Sequence, residues 1–143
     1  MKIAATFPYS GDSEFVKQNA GLLVDARVSE SDLRAAERAV LLAKQAHDEG
    51  KPCVVFASPR ILNGLEDHGL DYFLVYPSTE VKAEWIDRAR AFDARFANIA
   101  ERMWDSLLDD LHGRRRARPL ILGEGMLFSD VLQLQNNSFI LKD

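Results

Sequence analysis

Five short apolar runs punctuate this chain, and each is continuous rather than alternating. They are Ile3-Ala4-Ala5-Thr6-Phe7, Gly21-Leu22-Leu23-Val24-Asp25, Pro52-Cys53-Val54-Val55-Phe56-Ala57, Tyr72-Phe73-Leu74-Val75-Tyr76 and Pro119-Leu120-Ile121-Leu122. A strand with one face in water alternates apolar and polar side chains, so a run without alternation reads as a strand buried on both faces. Helical patterns separate the runs. That order implies an α/β domain in three layers, a mostly parallel five-stranded sheet flanked by helices. Ser138-Phe139-Ile140-Leu141 reads as a short added edge strand.

The 143 residues suit a single domain over 1–143, with a core that needs no staples. At 47% hydrophobic residues the chain is too apolar for a disordered segment. A net charge of -4 keeps it soluble and argues against a broad electrostatic grip on nucleic acid. Cys53, the only cysteine, lies inside an apolar run and reads as buried and inert, in keeping with a reducing compartment. No apolar stretch reaches the roughly 18 residues of a membrane span, and Met1 to Pro8 is too short for a signal-peptide core. A cytoplasmic location and no membrane partner are the expectation.

Ser29 to Glu49 places Leu33, Ala36, Val40, Ala43 and Ala46 on one helical face, with Ser29 as N-cap, Asp32 three residues on and Gly50 beyond the end. Ser58-Pro59 reads as an N-cap followed by proline in the first helical turn, opening a short helix that ends at Gly69. Ser78 caps the next helix, with Glu80 in its first turn. Val81, Trp85, Ala89, Phe92, Phe96, Ile99, Met103, Leu107 and Leu111 then form one stripe. The spacing predicts a single long amphipathic helix to about His112-Gly113. Two outcomes follow with equal weight: an overhang that meets a second copy of the chain, or a bent helix wrapped on its own core.

In parallel sheets ligands bind beyond the carboxyl ends of the strands. After the first strand comes Pro8-Tyr9-Ser10-Gly11-Asp12-Ser13 and a short helix through Asn19, a small-residue loop of the kind that offers backbone N–H groups to phosphate. A Walker A loop has lysine where Asp12 stands, and an acid there repels phosphate. Ser10, Gly11 and Ser13 are candidate contacts; a capped turn without ligand is the competing reading. Asp25 ends the second strand and could hold a metal, orient a hydroxyl or act as a base, or simply pair with Arg27. Ser58 and Arg60 end the third, a hydroxyl beside a forked cation that suits phosphate. Arg88, Arg90 and Arg95 alternate with Glu84, Asp87 and Asp93, as on a solvated, salt-bridged face. His47, His68 and His112 show no metal-ligand spacing. Arg114-Arg115-Arg116-Ala117-Arg118 balances Asp109 and Asp110 more readily than it reads a nucleic acid.

The stretch from Val75-Tyr76-Pro77-Ser78 to Lys82 and Arg88 resembles the corresponding segment of P-loop nucleotide kinases. There an aromatic strand end and Pro-Ser precede a helix whose arginines reach the transferred phosphates. The order of Phe56-Ala57-Ser58, Gly69-Leu70, Val75 to Lys82, Trp104-Asp105 and Gly125-Met126-Leu127-Phe128-Ser129-Asp130-Val131-Leu132 is similar to that in small bacteriophage proteins with a nucleotide-kinase-like fold. The likeness covers about residues 50 to 135. It implies a P-loop-kinase-like fold, a nucleotide-like ligand and a viral or mobile-element source such as a phage; Ser78, Lys82, Arg88 and Ser129 are further candidate ligand contacts.

Three functions follow as expectations. The favoured one is non-catalytic binding of a phosphorylated nucleotide or nucleotide-derived signal, with phage sequestration of a host defence signal as its use. The second is a nucleotide or nucleoside kinase, for which alone Mg²⁺ is implied as cofactor. The third is an interaction module in which the long helix joins two copies.

Overall fold

Residues 1–28 and 33–142 are described by the computed structural model, and all five apolar runs contribute strands. These are β1 (Ile3–Thr6), β2 (Val24–Asp25), β3 (Cys53–Phe56), β4 (Tyr72–Pro77) and β5 (Ala117–Leu122). They form one parallel sheet in the order β2-β3-β1-β4-β5. The continuity of the runs in β1, β3 and β4 has a direct cause, whereas β2 and β5, at the sheet edges, are not buried on both faces, with Ile121 51% exposed. Ile3, Ala5, Cys53, Val55, Tyr72 and Leu74 enter a core on one face of the sheet. Ala4, Val54, Phe73 and Val75, the intervening residues, enter a second core on the other face. Because side chains alternate along a strand, two buried faces demand apolar residues at every position.

The first face is covered by α2 (Leu33–Asp48), α3 (Pro59–Asp67), α4 (Lys82–Arg90) and α5 (Ala94–Leu111). The second carries α1 (Asp12–Gln18), α6 (Phe128–Val131) and an antiparallel ribbon of β6 (Leu132–Gln135) and β7 (Ser138–Leu141). The expected three layers are therefore present.

Several expectations are corrected. Ser138 to Leu141 does not extend the main sheet. It pairs with β6 through Asn136-Asn137, both in the left-handed region (φ 53° and 61°), as a two-residue hairpin turn requires. The alternating Leu132-Gln133-Leu134-Gln135 before that turn was the signal for it. The second strand is only two residues, with Leu22 exposed before it. In α2 the buried face is Ala35, Ala36, Ala39, Val40, Ala43 and Ala46, while Leu33 is 56% exposed. Gly50 takes the left-handed position that ends this helix (φ 72°). The expected cap at Ser29 and Asp32 lies outside the described residues.

The largest correction concerns the long helix. A short 3₁₀ turn (Thr79–Val81), α4 and α5 replace it, with a break after Arg90. Asp93 leaves the helical region (φ -153°), and its carboxylate accepts from the Phe96 N–H at 3.0 Å. A side-chain acceptor there supplies an N-cap in mid-sequence. One helix over 81–111 would run about 45 Å; broken, it lays two faces on one core. A second bend falls at Met103 (φ -110°, ψ 16°). Of the predicted stripe, Trp85, Ala89 and Leu111 are buried, whereas Phe92 is exposed and Ile99 and Met103 partly so. The buried set on α5 is instead Ala97, Ala100, Trp104, Leu108 and Leu111.

Cys53 is fully buried, and burial pushes its thiol up to about 12. At neutral pH the thiolate that reacts with alkylating agents is then scarce. Iodoacetamide is expected to leave the native protein unlabelled and to label it fully in denaturant. Rapid native labelling would contradict this packing.

Candidate functional site

The loop between β1 and α1 is held by a donor on each successive carbonyl. Pro8 accepts from Trp85 Nε1 at 2.8 Å, Tyr9 from Arg88 Nε at 2.7 Å, and Ser10 from the Phe128 N–H at 2.8 Å. Two donors come from α4 and one from α6, so opposite faces of the sheet clamp the same three residues. Tyr9 sits in the left-handed region (φ 58°), rare for a bulky side chain and a local strain of roughly 1–3 kcal/mol. Gly11 has φ 85°, and a Cβ there would lie 2.8 Å from that of Leu127, so only glycine fits.

The expected anion slot at the start of α1 is filled by the chain itself. Asp12 is 2% exposed; its Oδ1 accepts from the Ser10 N–H at 3.2 Å and its Oδ2 from Arg27 Nη1 at 2.6 Å. Arg27 also donates from Nε and Nη2 to the two oxygens of Asp25, at 2.8 and 3.0 Å, and from Nη1 to Ser13 Oγ at 3.0 Å. Its guanidinium lies over the Phe56 ring, 5.9 Å from the centroid. Two carboxylates thus neutralise one cation. The hydrogen bond to Asp25, against the opposing effect of burial, holds Arg27 above its ordinary range.

Hydrogen bonding from Arg27, against the opposing effect of partial burial, holds Asp25 below its ordinary 3.8. A depressed native value stabilises the fold above the ordinary carboxylate range and is lost as pH falls through the native value. Below about pH 4, the native chain should therefore lose stability faster than an Asp25→Asn variant in urea titrations followed by circular dichroism. Superimposable pH profiles would contradict the pairing.

A cleft of about 420 Å³ opens beside this network. Its floor is the carboxyl ends of β1 and β3, at Phe7 and Phe56-Ala57; Tyr9, Ser58-Pro59 and, from α5, Phe96 and Leu107 form its walls. β1 leads to α1 on one face and β3 to α3 on the other, and diverging connections leave such a crevice. The aromatic wall is continuous with the core: Phe7 and Trp85 meet edge to face at 5.1 Å, and Trp85 contacts Phe96 at 5.9 Å. Phe92, 78% exposed, stacks on Tyr9 at the rim (6.1 Å, 11° between planes). Among the described residues lining the cleft, the charged ones are Asp12 and Asp93, both acids. Burial first, then the nearby charge of Asp93, raise the pKa of the Tyr9 hydroxyl.

The predicted site residues are scattered by this geometry. Ser13 and Ser58 line the cleft, and Asp25 joins it through Arg27. Ser10 is fully buried with its N–H on Asp12, so it belongs to the loop's frame, as do Gly11 and Arg88. Ser58 caps α3 by accepting from the Ile61 N–H at 3.4 Å, as expected. Ser78 caps the 3₁₀ turn by accepting from the Glu80 N–H, and Lys82 follows it at the start of α4. Arg60 lines a different groove, about 400 Å³, between α2 and α3 with Glu37, Asp67 and His68. Ser129 lies in α6 on the opposite face. Sequence reasoning passed over Asp93 as a member of a charged face, although aspartate three residues before Phe96 is an N-cap pattern. Phe96 it assigned to the core alone.

Among the described residues no helix is long and apolar enough to cross a membrane. No protein-family model matches the chain, and no curated protein matches it. Among solved structures it is similar to the crystal structure of an uncharacterized protein from Eubacterium ventriosum ATCC 27560. The two share 13% identity at a TM-score of 0.47, over 87% of this chain and 89% of that one.

Proposed function

We propose that this chain binds a nucleotide-type small molecule without transforming it, holding the nucleoside end in the cleft over β1 and β3. The observation that carries this reading is an aromatic-walled crevice of nucleoside size at the strand ends, with an aspartate where a kinase loop has lysine. Phe56 and Phe96 offer apolar ring surface for a planar base. Strained backbone at Tyr9 is in keeping with a binding loop. A phosphate leads outward past Ser58, where α3 begins, rather than to the start of α1, since Asp12 already occupies that position. The kinase-like resemblance agrees with such a frame stripped of its transfer chemistry. Retention without turnover is a sequestering use, as expected of a phage protein that removes a signal.

The test is a thermal-shift screen with nucleosides, nucleotides and cyclic nucleotides, followed by chromatography of the recovered ligand. At a hundredfold excess over Kd, binding to the folded state alone raises the melting temperature by roughly 5–10 °C. Phe96→Ala should abolish the shift. No shift with any member, or recovery of an altered ligand, overturns the reading.

A second reading rests on partly exposed Ile99 and Met103 and exposed Phe92, which leave apolar surface beside α5 for another copy of the chain. Light scattering decides it: a dimer lost on Met103→Asp supports the contact, and a strict monomer removes it.

A further inference from the structure

The polar groups of the cleft differ in how much of their bonding capacity the fold uses. Asp12 has both oxygens engaged, one by the Ser10 N–H and one by Arg27. Ser13 Oγ already accepts from Arg27, and Ser58 Oγ from the Ile61 N–H. Asp93 stands apart. Its Oδ1 accepts one backbone N–H, that of Phe96, at 3.0 Å. Two carboxylate oxygens provide about four acceptor positions, so acceptor capacity remains on a group that lines the cleft. The backbone bond from Phe96 also fixes its orientation. Such a group recognises a donor and repels a lone pair or an anion.

Resting on the reading that a nucleoside occupies this cleft, we infer that Asp93 reads the base edge and selects bases that carry an exocyclic amino group over their oxo or unsubstituted counterparts. The juxtaposition is local. Asp93 caps the helix whose first turn presents Phe96 to the cleft. A ring lying against Phe96 brings its edge beside the carboxylate three residues earlier. An amino group there donates a charge-assisted hydrogen bond. A carbonyl oxygen in the same place faces the carboxylate with like polarity, and a bare C–H leaves it unpartnered. The cleft's described charged groups are both acids, so the preference does not depend on the phosphate that follows.

The experiment is isothermal titration of the full chain with matched nucleosides: cytidine against uridine, adenosine against inosine, and guanosine against inosine. Within at least one pair the amino member should bind about tenfold more tightly, the range of a hydrogen bond to a charged group. Asp93→Asn keeps an N-cap side chain and should reduce that ratio to below about threefold. A melting curve checks that the variant is folded, and Asp93→Ser, also a capping residue, gives the same readout without an amide. Equal binding within every pair overturns this inference while leaving nucleoside binding standing. So does a preference that survives in both Asp93 variants. Absence of binding by every nucleoside and nucleotide instead removes the reading on which the inference rests.

Discussion

Replacing Trp85 by alanine is expected to destabilise the domain by about 4 kcal/mol, a large share of the roughly 5–15 kcal/mol that holds such a domain folded. Trp85 is fully buried and touches Phe7, Tyr9, Phe96 and Trp104. Removing the indole leaves a cavity among these rings and withdraws the donor from the Pro8 carbonyl. The two losses differ in kind, and Trp85→Phe separates them. It restores most of the ring volume but not the N–H, and should cost about 1–2 kcal/mol. Denaturant midpoints at constant slope would measure both. A Trp85→Ala variant within 1 kcal/mol of the native chain, by the ordinary scale of core truncations, would mean that the aromatic cluster does not carry the first loop. Phe92→Ala is the internal control: an exposed ring at the rim should change stability little, whatever it does to binding.

Installing lysine at Asp12, where a kinase loop has one, is expected to unfold the chain rather than make it a kinase. The Asp12 side chain is 3% exposed and lies 2.6 Å from Arg27. Asp12→Lys removes the carboxylate and brings a second cation into the same near-dry space. Breaking a buried pair by losing one partner costs roughly 3–5 kcal/mol, and a like charge adds to that. Asp12→Asn keeps the volume and part of the hydrogen bonding. It should fall between the two, with Arg27 still held by Asp25. Urea unfolding ranks the three forms, and a coupled ATPase assay should find no turnover in any. A well-folded Asp12→Lys chain that hydrolyses ATP would show that the loop is a kinase loop one substitution from activity. On the proposed reading, the carbonyl clamps hold Tyr9 as a wall of the cleft, and Asp12 takes the place a phosphate would have.

Much of this architecture was written in the apolar pattern. Continuous runs demanded a sheet buried on both faces, and the helices between them demanded parallel strands. Ser58-Pro59 and Gly50 marked helix ends because their reasons are local: a hydroxyl acceptor, a missing N–H, a permitted left-handed backbone. The stripe from Val81 to Leu111 misled for the opposite reason. Its spacing is helical throughout, and the break depends on one aspartate that takes a backbone N–H from Phe96. Periodicity does not register a cap that interrupts it.

The site shows the same division. Strand ends, and thus the side of the sheet where a ligand sits, follow from chain order. Which residues face that crevice does not. Arg88, weighed as one of a salt-bridged face and as a phosphate contact, lies 3.7 Å from Glu84 and also holds the Tyr9 carbonyl, 79 positions away. Arg27 looked like a partner for Asp25 and also reaches Asp12, across 15. Asp93 joined the cleft only because α5 folds back over β1 and β3.

The alternation of buried runs and helical faces therefore determined the layers, because burial on two sides is a property of the residues of β1, β3 and β4 themselves. The pairings that turned a phosphate-like loop into a clamped one, and an acidic helix face into the wall of a cleft, were decided by tertiary structure. They are contacts between groups far apart in the chain, and their strength depends on distance and exclusion of water, which no local pattern of residues encodes.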